Sequence, residues 1–174
     1  EKVVEHARRM LRDPRAQAKL ISFLITWIQA DQPHSMEKDP ELFPGFDHDL
    51  ATDWRTSLEL SFQEILQSRP ADFRKLLLDD GLHVNDRFAR FYGFPLSAKG
   101  GFYKITPEEG FRAGVLTHPY LLSGLADARE SSPIHRGVLI ARGVLGMMLK
   151  PPPEAVTPIP ATLHPDLSTR ERVI

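Results

Sequence analysis

The sequence has 174 residues, 41% of them hydrophobic, which is enough for a sizeable core in one compact domain or in two small domains in contact. Its formal net charge of −1 removes any general argument for nucleic acid or an anionic membrane surface as a partner, and no apolar run approaches the ~20 residues of a transmembrane helix. The absence of cysteine excludes disulfides, thiolate catalysis and covalent haem attachment within these residues.

The first part of the chain contains three stretches with helical periodicity. A helix is predicted over residues 2–11, and Asp13 followed by Pro14 is the start signal of a second helix. Apolar residues in this second helix form a broad core-facing stripe: Leu20, Phe23, Leu24, Trp27 and Ile28. We interpret Trp27 as a core residue rather than as a stacking platform for a sugar or a porphyrin. A third helix, capped by Asp47 or Asp49, carries another stripe: Leu50, Trp54, Leu58, Phe62, Ile65 and Leu66.

Shorter elements and connections surround these helices. The connection over residues 31–49 has little periodicity, and we expect Phe43 and Phe46 to pin it. A short helix is predicted over residues 70–78, and Asn85 is the predicted cap of another that ends at Gly93. Residues 100–106 are the one strand-like run, for which the sequence offers no evident partner strand.

A helix over residues 133–150 is the predicted centre of the packing. Ser131 and Ser132 are candidate caps, and Pro133 suits the first helical position because it has no N–H to satisfy. Its apolar stripe consists of Val138, Ala141, Leu145 and Met148. Its glycines predict close approach of another backbone: Gly137, Gly143 and Gly146. Three prolines then end the helix. Together these patterns predict an all-α fold, a compact bundle of five to seven helices with at most a minor β strand or hairpin and a Pro-rich C-terminal linker.

The turn at residues 127–136 is the main candidate binding site. Four of its side chains, together with free amides at the helix start, are suited to hold an anion such as a carboxylate or a haem propionate, or to dock a partner: Arg129, Ser131, Ser132 and Arg136. The alternative is structural. In that case Ser132 caps the helix and the arginines pair with Asp127, Glu130 or another domain.

The sequence contains no recognisable metal, nucleotide or hydrolase motif. Glu59 and Glu64 are interpreted as part of a solvated helix face rather than as an acid and base pair. His118 and His135 are candidate haem or metal ligands, because imidazole is the usual side chain for that role. The methionines of the 133–150 helix are interpreted as packing residues rather than thioether ligands.

Several segments of the chain are distinctive. In the second half these are Arg112-Ala-Gly-Val-Leu-Thr117, Ser131-Ser-Pro-Ile-His-Arg-Gly137, and Leu145-Gly146 before the proline run. Upstream they are DPRAQAKLISFLITWI, KDPELFPGFD and LHVNDRFARFYGFP. Together they resemble the paired domains of unknown function of large Planctomycete cytochrome c-type multidomain proteins. By this resemblance, residues 1–97 correspond to the C-terminal part of the upstream domain, 98–153 to the second domain, and 154–174 to a linker toward a missing downstream domain.

The resemblance implies a periplasmic or secreted multidomain protein. A Cys-x-x-Cys-His haem attachment motif commonly lies just beyond the segment similar to residues 167–172. We therefore expect no cofactor within this chain, a c-type haem in the full-length protein, and a downstream haem-bearing domain of the same polypeptide as the partner. The start without Met and the charged end STRERVI also predict a piece of a longer protein.

Three functions are compatible with these observations. The first is an accessory helical domain pair that docks beside the haem domain of an extracytoplasmic redox protein. The second is part of a catalytic pocket in an extracellular redox enzyme or hydrolase that acts on a polymer. The third is a plain protein-interaction module. The three differ in the haem absorbance of the full-length protein and in whether that absorbance changes when this segment is deleted. Without haem the first function loses its basis.

Overall fold

The computed structural model describes residues 2–31, 36–68, 72–97, 100–108 and 112–150. In chain order its helices are α1 (Lys2–Leu11), α2 (Pro14–Trp27), α3 (His48–Gln67), α4 (Lys75–Leu78), α5 (Asp86–Tyr92), α6 (Pro119–Gly124) and α7 (Pro133–Val138). A π-helical segment (Leu139–Val144) continues α7, and a 3-10 turn (Val115–Thr117) precedes α6. Strands β1 (Leu82–Val84) and β2 (Tyr103–Ile105) form a small antiparallel sheet. The predicted all-α fold with a minor hairpin is confirmed, whereas the predicted linker at 154–174 lies outside the described residues.

Helix α3 is the centre of the core. Seven of its residues are buried: Leu50, Ala51, Trp54, Ser57, Leu58, Phe62 and Ile65. Helices α2, α4, α5 and α6 and strand β1 all pack against it. Each large apolar side chain that is fully buried in this way contributes about 1.5–3 kcal/mol to folding. The stripe predicted for α3 is therefore the one around which the fold is built.

Local capping signals account for most helix boundaries. Asp13, Asp47, Asn85 and Ser132 each accept a hydrogen bond from a backbone amide in the first turn of the following helix. Such bonds satisfy amides that have no partner within the helix. Gly93 ends α5 with a φ of 71°, in the left-handed region that glycine enters without strain. These predicted starts and stops are confirmed.

Two of the shorter elements differ from their predictions. The strand β2 does have a partner: it pairs antiparallel with β1, so that Leu82 lies opposite Ile105 and Val84 opposite Tyr103. This pairing could not be predicted from the sequence, because β1 has only three residues and is separated from β2 by α5. The helix predicted over 70–78 is shorter, since α4 begins at Lys75 and residues 70 and 71 lie outside the described part of the chain.

The helix predicted over 133–150 is wrong in its extent and its position. Helical structure ends at Val144, no residue of α7 is buried, and Leu139 is the one buried side chain of the π-helical segment. The predicted stripe needs a helix that continues to Lys150, but residues 145–150 are not helical. Leu145 and Met148 therefore share no helical face with Val138 and Ala141, and both are exposed.

The glycines of this segment have three different environments. The backbone carbonyl of Gly143 accepts a 2.8 Å hydrogen bond from Nε1 of Trp27, so the predicted close approach occurs there. Gly146 has a φ of 64° and lies just after the π-helical segment. Gly137 has no neighbouring atom within 4 Å of a Cβ placed on it. Trp27 is half-buried and joins α2 to the π-helical segment.

Candidate functional site: an aromatic groove

A groove of about 340 Å³ lies between the first and second halves of the chain. We call it the aromatic groove because one wall consists of Phe43, Phe46, Trp54, Phe91 and Tyr92. The opposite side comes from α6 and the turn that leads to α7, and includes Pro119, Leu122, Ser123, Asp127, Ser131 and Arg136. An apolar cleft with a few polar groups at its rim is the usual form of a ligand or peptide site.

The aromatic wall is organised around Trp54 of α3. Its ring centroid lies 5.4 Å from that of Phe46, 5.7 Å from Phe91 and 6.0 Å from Tyr92. Tilted and edge-on pairs at these distances are favourable beyond their buried area. The contact with Phe46 confirms that this aromatic residue pins the connection before α3. Burial raises the pKa of Tyr92 to about 12, so its phenol stays protonated.

The indole Nε1 of Trp54 is the exception within this packed wall. It is buried, and it has no hydrogen-bond partner among the described residues. A buried donor without an acceptor is unfavourable by about 1–3 kcal/mol. The groove that Trp54 lines therefore has an unsatisfied donor in its wall.

Lys38 fastens the rim of the groove to α6. Its Nζ donates hydrogen bonds to the backbone carbonyl of Ser123 in the last turn of that helix (3.0 Å) and to that of Asp127 just beyond it (2.9 Å). A cation is favourable there because the last carbonyls of a helix lack partners within it. Burial lowers the pKa of Lys38, and the nearby Asp127 opposes this shift. Lys38 thus ties the first half of the chain to the second.

The structure separates the four residues predicted to bind an anion or a partner. Arg129 pairs with Asp39 at 3.2 Å, and Ser132 caps α7 by accepting from the His135 amide at 3.4 Å. Ser131 and Arg136 line the aromatic groove, and within the described residues Arg136 forms no ion pair. Both contacts are of the kind that the structural alternative describes, since Asp39 belongs to the upstream part of the chain, residues 1–97. Binding by Ser131 and Arg136 stays a prediction.

His118 occupies a structural position. It is fully buried, its Nδ1 accepts from the Tyr120 amide at 3.2 Å, and its Nε2 lies 3.2 Å from Oγ of Ser57. Ser57 Oγ in turn donates to the carbonyl of His83. Burial, followed by the charge of Arg112, lowers the pKa of His118 well below its ordinary value, so the ring is neutral. Because both ring nitrogens are engaged, His118 is unsuited to bind a haem iron or another metal.

His135 differs from His118 because it is exposed. Its Nδ1 lies 3.3 Å from the carbonyl oxygen of Leu125, at the end of α6. Across the described ranges, no group of three or more acidic, histidine or cysteine side chains is arranged to hold a metal ion. His135 is therefore the one predicted ligand whose ring is accessible, and its role as a ligand stays a prediction.

Arg112 and Gly114 form a closed junction between the two halves. The Gly114 amide donates to the Asp79 carbonyl at 2.7 Å, and Nη2 of Arg112 donates to the Gly114 carbonyl at 3.0 Å. Nε and Nη1 of Arg112 are buried without hydrogen-bond partners among the described residues. Burial lowers the pKa of Arg112, whereas Asp79 and Asp80 oppose that shift. One feature of the sequence indicated this junction, the Arg112-Ala-Gly114 motif.

The two glutamates considered as an acid and base pair have separate partners. Glu59 pairs with Arg55 at 2.7 Å, and Glu64 pairs with Lys104 at 2.7 Å. Both pairs are partly exposed, so each contributes only modestly to stability. The aromatic wall itself was not predicted as a site. A possible signal was the density of aromatic residues in Phe88 to Phe94.

Comparison with known families divides the chain into two matched parts. The family PSD4, protein of unknown function (DUF1592), matches residues 1–94. The family PSCyt3, protein of unknown function (DUF1588), matches residues 112–174. No curated protein and no solved structure gives a significant match. The aromatic groove and the closed junction both lie where these two matched parts meet.

Proposed function

Because the chain belongs to the PSD4 family of proteins of unknown function (DUF1592), we propose that it is the helical accessory part of a larger redox protein. In this proposal the whole protein is an extracytoplasmic c-type cytochrome, and this chain docks beside a haem domain that lies outside it. The name of the second matching family, PSCyt3, and the resemblance of the motifs to cytochrome c-type multidomain proteins support the proposal.

The observation that carries the proposal is a set of exposed apolar side chains in the segment 134–148. We call it the apolar patch: Ile134, Ile140, Leu145, Met147 and Met148, which are between 41% and 91% exposed. Isolated exposed apolar residues are ordinary, but several in one short segment indicate a surface that another domain covers. The segment ends where the chain continues toward its C-terminus. A downstream domain is thus the partner best placed to cover it.

This chain cannot attach a haem covalently. The sequence has no cysteine for covalent attachment. His118 is buried with both ring nitrogens engaged, and the described residues contain no candidate metal cluster. In addition, none of the described helices is long and apolar enough to cross a bilayer. The proposal therefore assigns contact and positioning to this chain, and it assigns electron transfer to the haem domain.

The test uses the full-length protein. Haem absorbance in the Soret region must first be present. Trp27 then reports docking, because its indole bonds to Gly143 inside the segment that carries the apolar patch, and a haem docked nearby quenches tryptophan emission. We expect Met148→Asp to weaken docking and to increase tryptophan emission at least twofold.

Met10→Asp is the matched control. Met10 is also an exposed methionine, but it lies on α1 and is not part of the apolar patch. This variant should leave the emission unchanged. Full-length protein without haem, or equal emission from both variants and the unaltered protein, would rule out docking through the apolar patch.

A further inference from the structure

The aromatic groove has the features of a site for an extended, proline-rich peptide. Its wall presents Phe43, Phe91 and Tyr92 around the buried Trp54. Proline-rich segments favour the polyproline II helix, which loses little conformational entropy on binding and is recognised by grooves lined with aromatic side chains. The shape and lining of the groove thus select a class of ligand independently of any haem domain.

The chain contains one such segment in its own sequence. Residues 151–165, PPPEAVTPIPATLHP, include six prolines and no glycine. Their single carboxylate is Glu154. Arg136 on the rim of the groove is half-buried and forms no ion pair within the described part of the chain. The lining also contains Lys38, Asp127 and Glu130. Glu154 is complementary to Arg136 in particular, because a guanidinium group can bind a carboxylate through two hydrogen bonds.

The length of the segment is sufficient to reach the groove. α7 begins at the groove rim, and with its π-helical continuation it spans at most about 18 Å. Residues 145–150 add at most about 20 Å, so the way back from Lys150 is shorter than the roughly 46 Å that fifteen extended residues span. Glu154 lies only four residues beyond Lys150, which is about 12 Å of extended chain, so its contact with Arg136 requires the chain to turn back directly. The Met147 amide already bonds back to the Ala141 carbonyl at 2.8 Å, which starts this reversal.

We propose that the aromatic groove binds the proline-rich segment 151–165 of the same chain, with Glu154 as the partner of Arg136. The groove then holds the chain at the point where it leaves α7, and it sets the direction in which the following domain is attached. This proposal concerns the groove and the segment alone. It holds or fails whether or not a haem domain covers the apolar patch.

The first experiment uses the natural absence of cysteine. In the full chain, Ser131→Cys on the groove rim is combined with Thr157→Cys in the segment, and disulfide formation is followed under a mild oxidant on non-reducing gels. The matched control pairs Thr157→Cys with Ala18→Cys, an exposed position on α2 that does not line the groove. We expect an intramolecular disulfide to form at least about tenfold faster in the first pair, because binding raises the effective concentration of the two thiols.

Equal rates in the two pairs would overturn the proposal. A disulfide-linked dimer as the main product would also overturn it, because the segment would then belong to a second copy. Circular dichroism checks that both double variants retain the helical content of the unaltered chain.

The second experiment exchanges the charges of Arg136 and Glu154 in the cysteine pair. Arg136→Glu alone and Glu154→Arg alone should each slow the disulfide about threefold to tenfold, and the two together should restore the rate. Glu154 lies outside the described residues, so its variant changes no side chain of the described helices. Single variants without effect, or a double variant slower than either single variant, would exclude this ion pair and the proposal with it.

Discussion

The second half of the chain meets the first half in two different ways. At the closed junction, backbone groups of Gly114 and Asp79 bond directly, and Arg112 and His118 are buried. On the open side, no residue of α7 is buried, and the π-helical segment is fastened by Leu139 and by the bond from Trp27. The closed junction fixes how the two matched parts sit together. The open side leaves the aromatic groove and the apolar patch available for contacts.

The largest effect is expected from Gly114→Ala at the closed junction. Gly114 has φ 59° and ψ −168°, a conformation that is essentially restricted to glycine. A Cβ at this position would also overlap with backbone atoms of Leu76 and Leu77, which cannot move independently of α4. We expect a loss of about 3–5 kcal/mol in the free energy of unfolding, measured by urea titration.

Gly137→Ala on the open side is the control. A Cβ there meets no atom within 4 Å, and alanine is the better helix former, so the variant should gain about 0.5–1 kcal/mol. A loss smaller than 1 kcal/mol for Gly114→Ala would show that the junction is not closed in solution.

The second prediction concerns the pH dependence of stability, which comes from the closed junction. Burial lowers the pKa of His118 well below 6.5, so below pH 6.5 the unfolded state binds a proton that the folded state does not. The stability contribution of His118 is therefore complete above pH 6.5 and is lost as the pH falls. The free energy of unfolding is therefore expected to fall as the pH is lowered from 6.5 to 5, which urea titrations at a series of pH values measure.

The variant His118→Asn isolates the contribution of His118 to the pH dependence of stability. Asparagine retains an acceptor for the α6 cap but does not titrate, so the free energy of unfolding should fall less steeply below pH 6.5 than in the unaltered chain. Burial also lowers the pKa of His83, which leaves a smaller residual slope. An unchanged slope in the variant would mean that His118 is protonated in the folded state.

Local chemistry explains which parts of the fold were predictable. Asp13 with Pro14, Asn85 with Gly93, and Ser132 with Pro133 act within a few residues, so their roles follow from the sequence alone. The β1–β2 pairing and the burial of α3 in preference to the 133–150 stripe depend on packing between distant segments. Hydrophobic periodicity indicates that a helix has an apolar face, but it does not indicate what covers that face.

The candidate site was also only partly predictable from the sequence. Ser131 and Arg136 were selected because two hydroxyls and two guanidinium groups lie together in one turn. The aromatic wall opposite them comes from α3, α5 and the connection before α3, so only the tertiary structure brings it to the groove. The burial and neutral charge of His118 could not be predicted from the sequence either, because they depend on Ser57 and Arg112 from other parts of the chain.

The third prediction concerns the open side, where the expected loss of stability is smaller. Ser132→Ala removes the acceptor for the first-turn amide of α7 and should cost about 1 kcal/mol. Ser131→Ala is the neighbouring control, because Ser132 provides the cap and Ser131 does not. The free energies of unfolding of both variants are compared by thermal and urea denaturation. Equal losses would contradict the assignment of Ser132 as the cap.

The last prediction concerns Leu145, which the sequence placed in a core-facing stripe and the structure places on the surface. If Leu145 filled the core, its replacement by alanine would cost about 2–5 kcal/mol. Its side chain is 64% exposed, so we expect Leu145→Ala to change the free energy of unfolding of this chain by no more than about 0.5 kcal/mol. Leu58→Ala on α3 is the reference for a fully buried leucine and should lose about 2–5 kcal/mol. A loss above 1 kcal/mol for Leu145→Ala would mean that the open side is packed in the isolated chain, and the apolar patch would then be unavailable to a partner.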